Sequence, residues 1–533
     1  MSEKPTLRRR ASGVLLHPTS LPGPYGIGDI GHEAFAFADF LAACGQTWWQ
    51  MLPIGPVGHA LSPYFSDSAF AGNPLLLSLD KLCQQGLLEP SDLKPLRGQL
   101  RSRIHYSSVE RFKAARLAKA FEAFERRADE AGKNAFERFC EEHKAWLDDY
   151  ALFCAIKESQ QAAAWTQWET PLRRREPAAL ERCRQALGPR VRYHKFLQFL
   201  FAGQWSELKA YCAGLGLGLI GDIPIFVAAD SADVWSHPEL FWLDDEGRPS
   251  VVAGVPPDYF SKKGQLWGNP LYRWDAMKAD GYAWWLSRIR GVLSRFDALR
   301  LDHFIGFHNY WEIPAGAKDA VAGRWVQAPG EDFFRSVLRA FHDPRADAHP
   351  HAGHHAAAGV EIIAEDLGSL TPEVAKLRDQ FAFPGMRILQ FSFGEWDEKQ
   401  QPHAFAQNSV AYTGTHDNDT AAGWFHDAGG KSSTRTAEQI RTEREHALRY
   451  LASNGVEIHW DMVQAALKCP ADTAIIQAQD LLGLGSEARM NLPGTVDGNW
   501  QWRMAPGALT TEVAGRLALM TGAYGRGPRR WTK

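Results

Sequence analysis

Short apolar runs rich in Val, Ile and Leu recur along this chain, and long helical patterns separate them. That alternation constrains the fold more than any other feature. Residues 13–17, 47–53, 219–227, 296–302, 360–365, 386–393, 410–415 and 489–492 read as strands. Parallel neighbours need a crossover that returns the chain to the same end of the sheet, and helices supply it. Eight such strands predict an α/β architecture, a closed (β/α)8 TIM barrel. A barrel needs about 250 residues in its common form and tolerates large insertions, so the 533 residues here read as a single decorated barrel over 1–533.

Two regions exceed the minimal barrel. Residues 75–200 read as a mainly helical, highly charged insertion subdomain after strand two. Residues 228–285 are aromatic and rich in Pro and Gly, and read as a loop-rich insertion after strand three, over the end of the barrel where active sites lie. His349, His351, His354 and His355 form a biased tract beside Pro344 and Pro350. It reads as a mobile loop before strand five rather than a metal site, because no carboxylate or Cys ligand pattern accompanies it. Gly216-Leu-Gly218-Leu-Ile-Gly221 fits G-x-G-x-x-G, but a dinucleotide site needs that motif to leave a strand and open a helix. Here it leaves a helical run and enters a strand, so it reads as a turn, and no nicotinamide or flavin is expected.

Composition narrows the function classes. The formal charge is −3, from 59 basic and 62 acidic residues, which argues against a nucleic-acid binder and gives no pull toward an anionic membrane. The seven Cys include no C-x-x-C pair, so neither a zinc ribbon nor a thioredoxin-like motif is present, and free thiols in a reducing cytoplasm are expected. The basic stretch 1–10 is followed by only about three apolar residues, too few for a signal peptide. The apolar run 211–229 is broken by Asp222, Pro224 and several Gly, so it is no membrane span. The 20 Trp, 29 Phe and 13 Tyr serve either a large core or stacking on sugar rings, and composition does not separate the two.

Ionisable groups collect where the apolar runs stop. The strand ends read Leu219-Ile-Gly-Asp222, Arg300-Leu-Asp302-His303, Ile362-Ile-Ala-Glu365-Asp366 and Thr415-His416-Asp417-Asn418-Asp419. Arg300 and Asp302 are two apart and share one face of a strand. A guanidinium favours the ionised carboxylate, which suits a nucleophile, whereas burial of Glu365 at the end of an apolar strand favours the protonated form, which suits a general acid. One ionised and one protonated carboxyl are what retaining glycoside chemistry needs. Any one of these acids alone reads as a solvated loop residue or a salt bridge. Four on separate strands, with Arg and His interleaved, favour function. The string His416-Asp417-Asn418-Asp419 lacks the Gly and Glu of an EF-hand loop, so metal is the lesser reading and hydrogen bonding to adjacent sugar hydroxyls fits the same geometry. Neither G-x-S-x-G nor a P-loop motif occurs.

At these residues the sequence resembles the 4-α-glucanotransferases of glycoside hydrolase family 77, the amylomaltases or disproportionating enzymes of the wider α-amylase clan. The resemblance runs from about Gly13 to Met504. It is carried by Leu16-His-Pro-Thr-Ser-Leu-Pro-Gly-Pro-Tyr-Gly-Ile-Gly28, Ser62-Pro-Tyr64, Ser68-Ala-Phe-Ala-Gly-Asn-Pro74, Gly221-Asp-Ile-Pro-Ile225, Asp230-Ser-Ala-Asp-Val-Trp235, Gly254-Val-Pro-Pro-Asp-Tyr-Phe260, Gly264-Gln-Leu-Trp-Gly-Asn-Pro270, Arg300-Leu-Asp-His303, Ala364-Glu-Asp-Leu-Gly368 and Thr413-Gly-Thr-His-Asp-Asn-Asp-Thr420. The resemblance implies transfer of α-1,4-glucan segments between maltooligosaccharides, with Asp302 as nucleophile, Glu365 as acid/base and Asp417 as third carboxylate. It implies substrate contacts at Ser62, Tyr64, Asp222, Gln265, Trp267, Arg300, His303, His416 and Asn491, with Tyr64 and Trp267 as stacking platforms, and no cofactor or metal. Two positions depart from the family pattern: Phe65 where a Gln is common, and Ile305 where an Arg is common. Both bear on subsite preference rather than on the acids. The extra N-terminal modules of some relatives are absent, so no separate glucan-binding domain is expected. The loop over 253–267 is expected to cover the site. A hydrolase is the nearest rival and a non-catalytic glucan binder the next, while glucan length and oligomeric state are not set by these residues.

Overall fold

The computed structural model describes residues 5–58, 61–96, 102–257, 263–343, 359–368, 370–394, 397–429 and 435–528. Among them are twelve strands: β1 (Ala11–Leu15), β2 (Trp48–Gln50), β3 (Gly218–Ile223), β4 (Val251–Val255), β5 (Gln265–Pro270), β6 (Ala298–Leu301), β7 (Asn309–Pro314), β8 (Arg324–Gln327), β9 (Ile362–Ala364), β10 (Gly385–Ile388), β11 (Ser409–Tyr412) and β12 (Thr473–Gln477). Eight of them close a barrel in the order β1-β12-β11-β10-β9-β6-β3-β2, every neighbouring pair parallel. The (β/α)8 barrel read from the alternation is therefore present.

Its eighth strand lies elsewhere than expected. Residues 489–492 form no strand; β12 closes the barrel instead, with Ala11–Leu15 beside Thr473–Gln477 in register. The run Thr473-Ala-Ile-Ile-Gln477 follows the apolar helix Ile458–Lys468 after only four residues. In sequence the two merge into one apolar stretch, and Pro470 between them marks the break. Residues 489–492 run as a loop over the barrel mouth. Strand three is also shorter than expected, because Pro224 has no N–H for the ladder.

Between β2 and β3 the chain passes through the long helices Tyr106–Arg127, Glu130–Ser159 and Gly188–Leu215. The last ends on Gly216 at φ +80°, a left-handed cap that suits glycine, and β3 begins two residues later. The glycine triplet is thus a helix-to-strand turn. The excursion after β3 is more regular than its Gly and Pro content suggests: β4 and β5 join β7 and β8 in a four-stranded antiparallel sheet, order β5-β4-β7-β8. The His349–His355 tract lies outside the described residues.

The barrel is filled by large side chains. Trp48 and Trp49 are fully buried, and Gly13 faces Trp48 so closely that a Cβ there would sit 2.4 Å from the Trp48 carbonyl oxygen. The N-terminal end of the barrel is tied by Arg526, fully buried with no carboxylate among its hydrogen bonds. Its guanidinium donates to the carbonyls of Ala11, Leu467, Cys469, Ala471 and Asp472, joining the C-terminal segment to β1 and to the approach of β12. Arg526→Ala strands these buried acceptors and is expected to destabilise the fold by about 3 kcal/mol or more. A lowered denaturant midpoint at neutral pH checks it; an unchanged midpoint would mean that water replaces the guanidinium without cost.

Candidate active site

Asp222 on β3 and Arg300 on β6 are register partners in neighbouring parallel strands, so their side chains leave the sheet on the same side. The Arg300 guanidinium bridges two carboxylates. Its Nη1 donates to Asp222 Oδ1 and Oδ2 at 3.0 and 2.8 Å and to Asp302 Oδ1 at 2.8 Å. Asp222 is wholly buried at its side chain, and Asp302 is 27% exposed. Tyr64 adds a hydroxyl that donates to Asp222 Oδ2 at 2.9 Å. Burial, joined by the charge of Asp302, pushes Asp222 up to about 7 against the pull of Arg300. Burial works against the charged form of Arg300 too, but the two carboxylates outweigh it and keep the guanidinium protonated.

One strand further, Leu301 pairs with Ala364, so the next residues, Asp302 and Glu365, emerge side by side at the barrel mouth. His303 adopts a left-handed backbone, φ +51°, uncommon for a non-glycine residue. Its N–H donates to Glu365 Oε2 at 2.7 Å, and Leu367 N–H donates to Oε1 at 2.9 Å. Both bonds favour the carboxylate, yet burial and the neighbouring Asp302 charge prevail and raise Glu365 to about 8. The His303 ring is lowered to about 4 by burial, so it is a neutral imidazole at pH 7.

On the opposite rim, β11 leads into His416 and Asp417. The Tyr64 ring stacks on His416 at 4.9 Å and 20°, and the Tyr64 oxygen lies 3.4 Å from His416 Nδ1. His416 Nε2 lies 3.5 Å from Asp417 Oδ2, and burial lowers its pKa. Asn491 Nδ2 donates to Asp417 Oδ1 at 2.6 Å, while Asn491 N–H donates to the His416 carbonyl at 3.0 Å. The loop 489–492 therefore holds Asp417 at its carboxylate and His416 at its carbonyl.

Asp222, Arg300, Asp302, Tyr64, His416, Asp417 and Asn491 are thus linked by direct contacts, and Glu365 joins them through His303. Trp267 and Gln265 enter from β5: Trp267 meets the His303 ring edge-on at 4.9 Å, and its Nε1 donates to Gln265 Oε1 at 3.2 Å. Ser62 is set back; its buried hydroxyl accepts from Tyr64 N–H at 3.2 Å and shapes the turn that presents Tyr64. Phe65 is half-buried, and Ile305 is buried in the turn after His303. The loop 253–267 is described at both ends, but 258–262 lie outside the described residues. Among the described residues no group of three or more His, Cys, Asp or Glu is arranged to hold a metal ion.

A sequence profile described as 4-alpha-glucanotransferase, of glycoside hydrolase family 77, matches residues 16–510. The chain belongs to the 4-alpha-glucanotransferase family. A 4-alpha-glucanotransferase of Thermus thermophilus is 46% identical over 526 residues, covering 97% of this chain and 99% of the relative. One of Synechocystis is 45% identical, covering 98% and 99%. The fold is similar to that of an amylomaltase from Streptococcus agalactiae solved in complex with acarbose, with a TM-score of 0.89 and 38% identity, covering 97% of this chain and all of that one.

Several neighbours of this 4-alpha-glucanotransferase site escaped the sequence reading. His17, after β1, is buried close enough to His416 for their charges to interact; burial and that charge lower it to about 3. Trp500 packs against both Tyr64 and His416 at 5.8 Å, and Arg489 donates to the Asp417 carbonyl at 2.6 Å. His17 stands inside the segment Leu16–Gly28 that carries the family resemblance, a usable signal. Trp500 and Arg489 carry no local one. Asp366, beside Glu365 in sequence, points the other way: it accepts from Met386 N–H at 2.8 Å and pairs with Arg378.

Proposed function

We propose that the enzyme moves α-1,4-linked glucan segments from a donor to an acceptor maltooligosaccharide by a retaining double displacement. The observation that carries this is the pair of unlike carboxyls at adjacent strand ends: Asp302 held by Arg300, and Glu365 buried with a raised pKa. Glu365 gives its proton to the glycosidic oxygen as Asp302 attacks C1, the C1–O bond breaks, and the leaving glucan departs with a free 4-hydroxyl. A covalent β-glucosyl ester on Asp302 remains. Glu365, now a carboxylate, takes the proton from the 4-hydroxyl of the acceptor; its oxygen attacks C1 and the ester bond breaks. The route calls for carboxyl groups about 5–5.5 Å apart. Asp417 and His416 hold ring hydroxyls through bonds that strengthen in the transition state. Arg300, Asp222 and Tyr64 hold the nucleophile, Asn491 and Ser62 hold the groups that present Asp417 and Tyr64, and His303, Trp267 and Gln265 line the path of the glucan.

This reading treats 1–533 as one decorated barrel, with 75–200 as its helical insertion and 228–285 over the site. Its partners are α-1,4-glucans. We place it in the cytoplasm, which the seven unpaired cysteines support; no helix among the described residues is long and apolar enough to cross a membrane.

Incubation with maltotriose alone tests the function. Free glucose together with longer maltooligosaccharides, and no net rise in reducing ends, is expected. Shortened products with rising reducing ends would replace transfer by hydrolysis. A second expectation concerns pH. Glu365 acts as an acid only while protonated, so kcat/KM falls tenfold per pH unit above about 8. A rate that stays flat to pH 10 would remove Glu365 from the acid role.

A further inference from the structure

The segments Ser68–Pro74 and Asp230–Trp235 stand out in the sequence, yet neither supplies a group to the carboxylates around Arg300. The structure joins them to each other. Ala69 N–H donates to Asp233 Oδ2 at 2.7 Å, and Ala232 N–H donates to the Asp67 carbonyl at 2.9 Å. Lys157, on the helix Glu130–Ser159, lies 2.9 Å from Asp230 and 3.5 Å from Asp67. At this junction a cavity of about 210 Å3 lies between that helix, Ala232–Ser236 and Ala283–Arg295.

Its walls are aromatic. Phe70 stacks on Trp146 at 6.2 Å and 13°, and meets Trp284 edge-on at 6.0 Å and 84°. Its ionisable lining is four carboxylates, Asp149, Asp233, Glu239 and Asp280, with one imidazole, His237, 3.4 Å from Glu239; Arg175 donates to Asp149 at 2.7 Å from outside the lining, and no Lys or Arg among the described residues lines it. The excess of carboxylates over the single imidazole disfavours phosphorylated or other anionic ligands, and the carboxylates disfavour a wholly apolar one. Ring faces beside acceptor oxygens suit a pyranose, whose C–H face is apolar and whose hydroxyls donate. The volume is below that of pockets for larger ligands, roughly 300 Å3 and upward, and suits one sugar ring.

We propose that this cavity is an accessory binding site for a glucosyl unit of an α-glucan, separate from the barrel-mouth carboxylates. The inference rests on the glucan reading above. Ser68 lines both this cavity and a smaller one, about 50 Å3, that reaches Tyr64 and Asp222, so one short loop borders both places. A glucan long enough to engage both sites is held near the barrel at raised effective concentration, and a short one gains nothing.

Ser287 is exposed at the cavity and distant in sequence from the site residues, so Ser287→Trp fills the space from the solvent side. The expected result is a KM for amylose raised about threefold or more, with kcat and KM for maltotriose unchanged. Calorimetry with maltoheptaose, in an Asp302→Asn background whose turnover is lowered roughly 10⁴-fold or more, is expected to show two molecules per chain, falling to one with Ser287→Trp. Trp146→Ala removes an aromatic wall instead of filling the space, and should give the same loss. One molecule per chain without either substitution, or an amylose KM unmoved by both, overturns the site. Choline bound at the cavity with no second maltoheptaose would make it an organic-cation site and overturn the proposal equally. Failure of maltotriose disproportionation in the unmodified enzyme would defeat the functional reading instead, and the calorimetric stoichiometry would still report on the cavity.

Discussion

Asp302→Asn is expected to lower kcat on maltotriose by roughly 10⁴-fold or more, the scale seen when a covalent nucleophile is removed, while maltotriose still binds. The substitution keeps the shape of the side chain and removes its charge. Arg300 retains Asp222 at 2.8 and 3.0 Å, so the guanidinium stays in place and the barrel mouth is not left with an unpaired buried cation. Glu365 responds as well. The Asp302 charge is one of the forces holding its pKa up, so its loss lets that pKa fall. Single-turnover kinetics with calorimetric binding separates the outcomes. Lost turnover with retained binding fits the nucleophile and rules out a mere glucan binder. A kcat within tenfold of the original would assign the attack to another group.

Glu365→Gln carries the second large effect, and its size depends on the leaving group. With maltotriose the departing oxygen is a poor leaving group without a proton, and loss of a general acid costs roughly 10²–10⁴-fold. With an α-maltosyl fluoride donor, fluoride leaves with little help, so formation of the glucosyl-enzyme is expected to stay within about tenfold of the original. The glutamine can still accept the His303 N–H bond through its carbonyl oxygen, so the Asp302–His303 turn is maintained. Equal losses on both donors would show that Glu365 does something other than protonate. The pH profile gives the companion readout: the fall above about pH 8 should vanish from the residual fluoride reaction.

The resemblance assigned roles to three carboxylates, and the structure shows what surrounds each of them. Asp302 and Glu365 look alike in the sequence, as acids at the ends of apolar strands. They differ because Arg300 points at Asp302, whereas Glu365 receives only backbone N–H groups in a buried place. The spacing of Arg300 and Asp302 along one strand made the first contact legible. The Asp222–Arg300 bond joins different strands 78 residues apart and depends on the β3–β6 register. Tyr64 shows the same limit. A platform for sugars was readable from its loop, but its bond to Asp222 and its stacking on His416, 352 residues away, were not.

By itself the sequence determined the barrel, the long helices between the second and third barrel strands, the helix-to-strand turn at Gly216 and the strand-end placement of the acids. These are local properties: periodicity, β-branched runs and turn residues act within a few positions of the chain. Only the tertiary structure decided that Thr473–Gln477 closes the barrel and that 489–492 instead holds Asp417 through Asn491. It also brought His17 and Trp500 against His416 and put Glu365, not Asp366, into the cluster. Those outcomes turn on barrel closure, on which distant surface desolvates a given acid and on which charge stands next to it, and electrostatic energies depend on distances in space that no stretch of sequence contains.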